Sequence, residues 1–103
     1  MTFNLPARLA KMAEIGDLVG VRNGLAEAKA VGAIVAIEDL LLSIGIPQTL
    51  SDLGLAPDKL EWVAEEAFTA KRLVNNNPRK LDLLAANSIV SAAYSGKRIE
   101  LLP

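Results

Sequence analysis

The chain has 103 residues, 51% of them hydrophobic and 22% charged, with a formal net charge of −1, no cysteine and no histidine. That length suits one domain with a single modest core. A pI of about 5.4 gives no electrostatic case for nucleic acid or an anionic membrane surface, and the two missing residue types exclude disulfides, thiolate and imidazole catalysis, and the commonest transition-metal ligands.

The lack of cysteine fits a cytoplasmic setting. The N-terminus shows no basic region followed by an apolar run, so no signal peptide is expected. Neither common spacing of a glycine-rich phosphate loop occurs; the seven glycines are scattered, five of them at helix ends and turns. Mean hydropathy is +0.31 with only 4% aromatic residues. That is apolar for so small a domain, and it suggests faces that dock against something outside the chain.

In chain order, Asn4 is placed to cap a first helix, with Pro6 tolerated in its first turn. Ala7 to Val19 carries Leu9, Met12, Ala13 and Gly16 at helical spacing and ends at Gly20. The turn Val21-Arg22-Asn23-Gly24 implies a helical hairpin, with Asn23 as the cap of the next helix. That helix, Leu25 to Ile44, dominates the pattern. At about 100° per residue, Val31, Ile34, Val35, Ile37, Leu40, Leu41, Leu42 and Ile44 spread over roughly 220°. A surface helix needs a stripe of only a little over about 100°. The expectation is therefore a core helix covered on most sides, with Lys29, Asp39 and Ser43 exposed. Glu27 and Glu38 fall inside the apolar arc, so one of them should mark a seam or face a missing partner. Four charges argue against a membrane span.

Gly45-Ile46-Pro47 stops this helix: glycine suits the left-handed cap, and proline cannot continue it. Thr49 to Gly54 reads as one helical turn with Thr49 and Asp52 spaced as a capping box. Another helix begins at Pro57, with Asp58 at its positive end, Leu60, Val63, Ala64 and Ala67 as its buried stripe, and Lys71-Arg72 at its negative end. Trp62 lies off the stripe and reads as a half-buried helix-face residue rather than a stacking surface for a ligand. Asn75-Asn76-Asn77-Pro78-Arg79 breaks the pattern as an ordered loop that can use left-handed asparagine. Asp82 caps the last helix, with Leu81 placed to pack back on it. Ala86, Ile89, Val90 and Ala93 are its inner stripe, and Gly96 its stop. The apolar tail Ile99 to Pro103 should lie on the bundle or on a partner. The basic pairs Lys71-Arg72, Arg79-Lys80 and Lys97-Arg98 read as surface charge, two of them complementing helix dipoles. The fold class is all-α, a bundle of about four main helices plus a short helical turn.

The order Gly45-Ile46-Pro47, Leu50, Leu53-Gly54, a helix, Asn77-Pro78-Arg79, and a helix ending Ala92-Ala93-Tyr94 resembles the C-terminal end of the iron-containing alcohol dehydrogenase family. Met1-Thr2-Phe3-Asn4 resembles the segment that follows that family's last metal-binding histidine. The resemblance covers essentially the whole chain and implies the C-terminal helical domain of the iron-containing alcohol dehydrogenase and dehydroquinate synthase-like fold. Family members add an N-terminal α/β domain that binds NAD or NADP. They hold iron or zinc with an aspartate and three histidines, and they transfer hydride between the nicotinamide and an alcohol or aldehyde.

This sequence departs from the family by truncation. It has no histidine ligand and no nucleotide loop, and the aspartate ligand belongs upstream, so Asp17, Asp39, Asp52, Asp58 and Asp82 inherit no role. No catalytic, cofactor-binding or metal residue is assigned, and no cofactor is expected in this chain itself. The resemblance points to Leu73, Val74 and Asn75 as candidate substrate-pocket wall residues, against the plainer reading of a helix-to-loop corner. It implies that Arg79 orders its own loop or an interdomain contact. The expected partners are the missing remainder of the dehydrogenase or further copies of the chain, giving a homo-oligomer; neither nucleic acid nor membrane is expected. Residues 1–103 then form one helical domain, part of a larger one, inactive on its own. The alternative is a free-standing helical interaction module. A complete small enzyme would need carboxylate or lysine chemistry, and nothing groups such residues into a site.

Overall fold

In the computed structural model, which describes residues 1–102, the chain is all-α. Five α-helices follow one another: α1 Leu9–Leu18, α2 Ala26–Ser43, α3 Leu60–Thr69, α4 Lys71–Asn75 and α5 Leu83–Ser95. Four of them, α1, α2, α3 and α5, have ten residues or more and are the expected main helices. Short 3-10 segments occupy Thr2–Ala7, Pro57–Lys59 and Arg98–Leu101. Pro103, the last residue of the apolar tail, lies outside the described residues.

The first helix is shorter than its pattern suggests. Pro6 sits inside the Thr2–Ala7 segment, where it lacks the N–H a continuous helix would use, and the backbone breaks at Arg8 before α1 begins. Asn4 is therefore no helix cap. Helices α1 and α2 form the expected hairpin, but its contact is made by small residues. Gly16 lies against the Lys29 backbone, Gly32 against Val21, and Ala30 and Ala33 are completely buried. Leu25, not Asn23, stands at the start of α2, with no side-chain cap.

This close approach overturns the expectation for α2. Five of the large apolar residues of its arc are left open, Val31, Val35, Leu40, Leu42 and Ile44 being 39–64% exposed, whereas Ile34, Ile37 and Leu41 are half-buried. The broad apolar arc is real, but α1 covers only the small-residue stripe. Lys29, expected in solvent, is half-buried and donates to Asp17 at 2.6 Å. Asp39 and Ser43 are exposed as expected.

At the end of α2, Gly45 takes φ +78. Its N–H reaches Leu42 O at 3.1 Å, and the Ile46 N–H reaches Leu41 O at 3.0 Å. This pair of bonds is the Schellman closure, which needs a left-handed residue that glycine supplies without Cβ strain. The following turn is tied down twice: the Asp52 N–H donates to Thr49 Oγ1 at 3.0 Å, and the Leu50 N–H to Ala93 O of α5, also at 3.0 Å. Half of the capping box is thus formed.

The second apolar centre lies between α3 and α5. Ala64, Ala86 and Val90 are buried there, flanked by Leu50, Leu60 and Val63. Ala67, expected in the same stripe, is exposed, because the contact is made by the first turns of α3. Trp62 is off the stripe but 58% exposed, more open than its pattern implied. Helix α3 does not run through to Arg72. It stops at Thr69, whose hydroxyl donates back to Glu66 O at 2.6 Å, a bond that competes with the helical ladder. Lys71 then opens α4 with its ammonium 3.5 Å from the centre of the Phe68 ring, so it complements an aromatic face rather than a helix end. Asp82 caps α5 by accepting from the Ala85 N–H at 2.8 Å, and Gly96 closes it at φ +79.

Candidate functional site

The loop Asn77-Pro78-Arg79 is where the chain's ends meet. Asn76 stays at φ −87, and positive φ occurs only at glycines among the described residues, so the asparagine run makes its turn without left-handed backbone. Side chains do the ordering instead. Asn77 Nδ2 donates to Arg79 O at 2.6 Å and to Asn4 Oδ1 at 2.8 Å, while Asn4 Nδ2 donates to Asn77 Oδ1 at 2.9 Å. Asn4, read from sequence as a cap, is thus the partner of the motif asparagine 73 residues away.

Arg79 completes the junction. Its Nη1 donates to Phe3 O at 3.0 Å and to Leu101 O at 3.4 Å, and its guanidinium carbon lies 4.3 Å from the centre of the Phe3 ring. The planar fork can hydrogen-bond at its edge and stack on its face, which a lysine cannot match. The residue orders its own loop and the two terminal segments. A mixed pocket of about 330 Å³ adjoins it, with Lys80, Asp82, Ser88 and Glu100 in its lining.

A second polar cluster holds the tail to α2. Arg98 Nη1 donates to Glu38 Oε1 at 2.8 Å, and its Nη2 donates to Gln48 O. Glu38 therefore marks a seam, as its place inside the apolar arc suggested. Beside the cluster, a groove of about 250 Å³ is lined by Leu5, Val31, Val35, Ile99 and Leu102, with Glu38 and Arg98 at its polar edge.

The three candidate wall residues point different ways. Leu73 is 70% exposed, Asn75 is exposed, and Val74 is buried. Gly45, Ile46 and Pro47 lie in the connector after α2 and are exposed. Nothing in the sequence pointed to the roles of Phe3, Gln48, Arg98 and Leu101, because three of them act through backbone carbonyls and Arg98 through partners at least 50 residues away.

Chemically, these clusters tie segments together. Among the described residues, no group of three or more His, Cys, Asp or Glu side chains is placed to hold a metal ion. No helix among them is long and apolar enough to cross a membrane.

The sequence profile described as "Fe-containing alcohol dehydrogenase family, C-terminal" matches residues 1–94. Sulfoacetaldehyde reductase from Bilophila wadsworthia (strain 3_1_6) is 38% identical over 95 residues, covering 82% of this chain and 24% of that protein. The 1,3-propanediol dehydrogenase of Klebsiella pneumoniae is 40% identical over 80 residues, covering 76% of this chain and 20% of its own length. The NAD-dependent methanol dehydrogenase of Bacillus methanolicus is 35% identical over 79 residues, covering 75% and 20% respectively. The chain thus spans 20–24% of the length of these relatives. No solved structure matches it.

Proposed function

The chain belongs to the Fe-containing alcohol dehydrogenase family, as C-terminal helical-domain sequence, and from that premise we propose that it supplies the helical end of an NAD(P)- and metal-dependent alcohol dehydrogenase. The observation that carries this reading is the profile match over residues 1–94, in a chain whose longest helix leaves Val31, Val35, Leu40 and Leu42 exposed. The substrate class is a small alcohol or aldehyde, in keeping with the names of all three relatives. In such an enzyme a nicotinamide would exchange hydride with the substrate and iron or zinc would polarise the substrate oxygen, both held by the remainder of the protein rather than by residues of this chain.

The residues of this chain do not fit the metal. It has no histidine, and its carboxylates form no group of three among the described residues. The metal and the nicotinamide belong to the remainder of the enzyme, and the chain is inactive by itself. Its contribution is scaffolding, with a short stretch of pocket wall. Leu73 and Asn75 are the exposed pair available to a substrate once the rest of the enzyme is in place, and buried Val74 supports them. The exposed face of α2 meets the remainder of a larger helical domain or a further copy in a homo-oligomer. Its setting is the cytoplasm, in keeping with a sequence free of cysteine. The same bare face favours one second reading, a free-standing interaction module that docks a partner there.

The reading frame upstream of Met1 in the source DNA tests the proposal. The expected result is a continuous frame of a few hundred codons, with a glycine-rich nucleotide loop and an aspartate followed by spaced histidines. An in-frame stop codon with a ribosome-binding site directly before Met1 overturns it and leaves the interaction module.

A further inference from the structure

Helices α1 and α2 pack along each other, and α3 packs on α5, but direct packing between these two hairpins is marginal. The 3-10 segments join them: Thr2–Ala7 touches α2 and the tail segment Arg98–Leu101, which lies on α5. The radius of gyration, 14.5 Å, exceeds the roughly 13 Å of a compact 100-residue chain, as two bodies side by side would give.

The hydrogen bonds across this seam are polar, and Phe3 and Leu5 of the Thr2–Ala7 segment are its buried apolar side chains. Asn4 pairs with Asn77, Arg79 holds Phe3 O and Leu101 O, and Arg98 holds Glu38 and Gln48 O. Lys29–Asp17, by contrast, lies within one hairpin. The hairpins themselves are closed by small and apolar residues. Groups in a partly wetted polar seam regain water partners when it opens, whereas apolar packing has no such substitute. With so little direct packing between the hairpins, the seam is the easiest place to part the fold. Next to it, the connector Gly45–Gln48 carries no helix. The 250 Å³ groove straddles the seam, walled by Leu5, Val31 and Val35 on one side and by Lys97, Ile99 and Leu102 on the other.

The geometry points to a hinge: the α1–α2 and α3–α5 hairpins turn as rigid bodies about Gly45–Gln48, with Arg79 and Arg98 clasping the closed form. Opening widens the groove between them. Arg98 is the clasp nearest the hinge, since it binds the connector itself at Gln48 O. Its ion pair with Glu38 is partly exposed, so added salt weakens it. The hinge rests on this chain's own packing and is tested on the chain itself, so its failure and that of the dehydrogenase reading are distinguishable.

Because the chain has no cysteine, spin labels attach only where one is introduced. Ala10→Cys on α1 and Glu65→Cys on α3 are both exposed positions. Pulsed dipolar distances between them, on full chain diluted with unlabelled chain, read the separation of the hairpins. The expected result is one narrow distribution at low salt. It shifts to longer, broader distances in Arg79→Ala/Arg98→Ala, and in the chain with both arginines at about 1 M salt, where the screening length is about 3 Å. Helix content by circular dichroism stays constant in both cases. A distribution that moves with neither salt nor substitution overturns the hinge, as does helix loss that tracks the salt-induced shift. If the double substitution prevents folding, the salt series decides alone.

Discussion

Asn4 and Asn77 exchange both of their amide hydrogen bonds, at 2.9 and 2.8 Å, across 73 residues of sequence. The pair is part-buried, and Asn77 also secures its own loop through Arg79 O. Asparagine at both positions lets each side chain donate and accept at once, which an aspartate cannot do. A double-mutant cycle with Asn4→Ala and Asn77→Ala should give a coupling of about 1 kcal/mol by urea unfolding. Asn77→Ala alone should be the costlier single change, because it also releases Arg79 O. Additive effects would mean that the two amides do not stabilise each other.

The two helical glycines of the first hairpin should respond differently to alanine. A Cβ at Gly16 would be driven into the Lys29 carbonyl oxygen and stand 3.0 Å from the carbonyl carbon, both fixed backbone atoms. Gly16→Ala should cost about 1–3 kcal/mol despite its better helix propensity, since α1 and α2 must separate. The atoms nearest a Cβ at Gly32 belong to the Val21 side chain, with Cγ1 at 2.7 Å and Cγ2 at 3.1 Å. Gly32→Ala should cost about 1 kcal/mol, less than Gly16→Ala, as the gain in propensity offsets only part of the strain of moving a β-branched side chain. Thermal unfolding of both variants checks the order, and a reversed order would mean that the hairpin is packed differently.

Leu73 and Val74 are adjacent but belong to different environments. Val74→Ala should lower stability by about 1–3 kcal/mol, from lost burial and the cavity it leaves. Leu73→Ala should change stability by no more than about 0.5 kcal/mol, since its side chain is 70% exposed. In a full-length parent enzyme, Leu73→Ala should alter kcat/KM between short and longer alcohols. An unchanged ratio would remove Leu73 from the pocket wall.

The bare side of α2 should govern association. Leu40 and Ile44 are 59% and 63% exposed and one helical turn apart. Leu40→Lys/Ile44→Lys should lower hydrophobic-dye fluorescence and move the sedimentation profile towards monomer, with helix content retained. Lysine suits this end of the helix, where cations meet the negative pole of the dipole. Loss of helix content would show that these residues stabilise the isolated chain.

What the sequence by itself determined is what local chemistry controls. Helical periodicity placed the four main helices, because the 3.6-residue repeat is carried by each segment alone. Gly45 and Gly96 stopped helices as expected, and Asp82 capped one, since these bonds span only a few residues. The order of the Gly45-Ile46-Pro47 and Asn77-Pro78-Arg79 motifs pointed to the family to which the chain belongs. Only the tertiary structure decided which side of α2 is covered. Periodicity measures how apolar an arc is, not which part of it a neighbour reaches, and Gly16 and Gly32 brought the neighbour to the small residues. It also decided that Asn4 would meet Asn77 and that Arg79 would hold Phe3 and Leu101. Those bonds join segments with no shared period, and carbonyl acceptors look the same in every residue type.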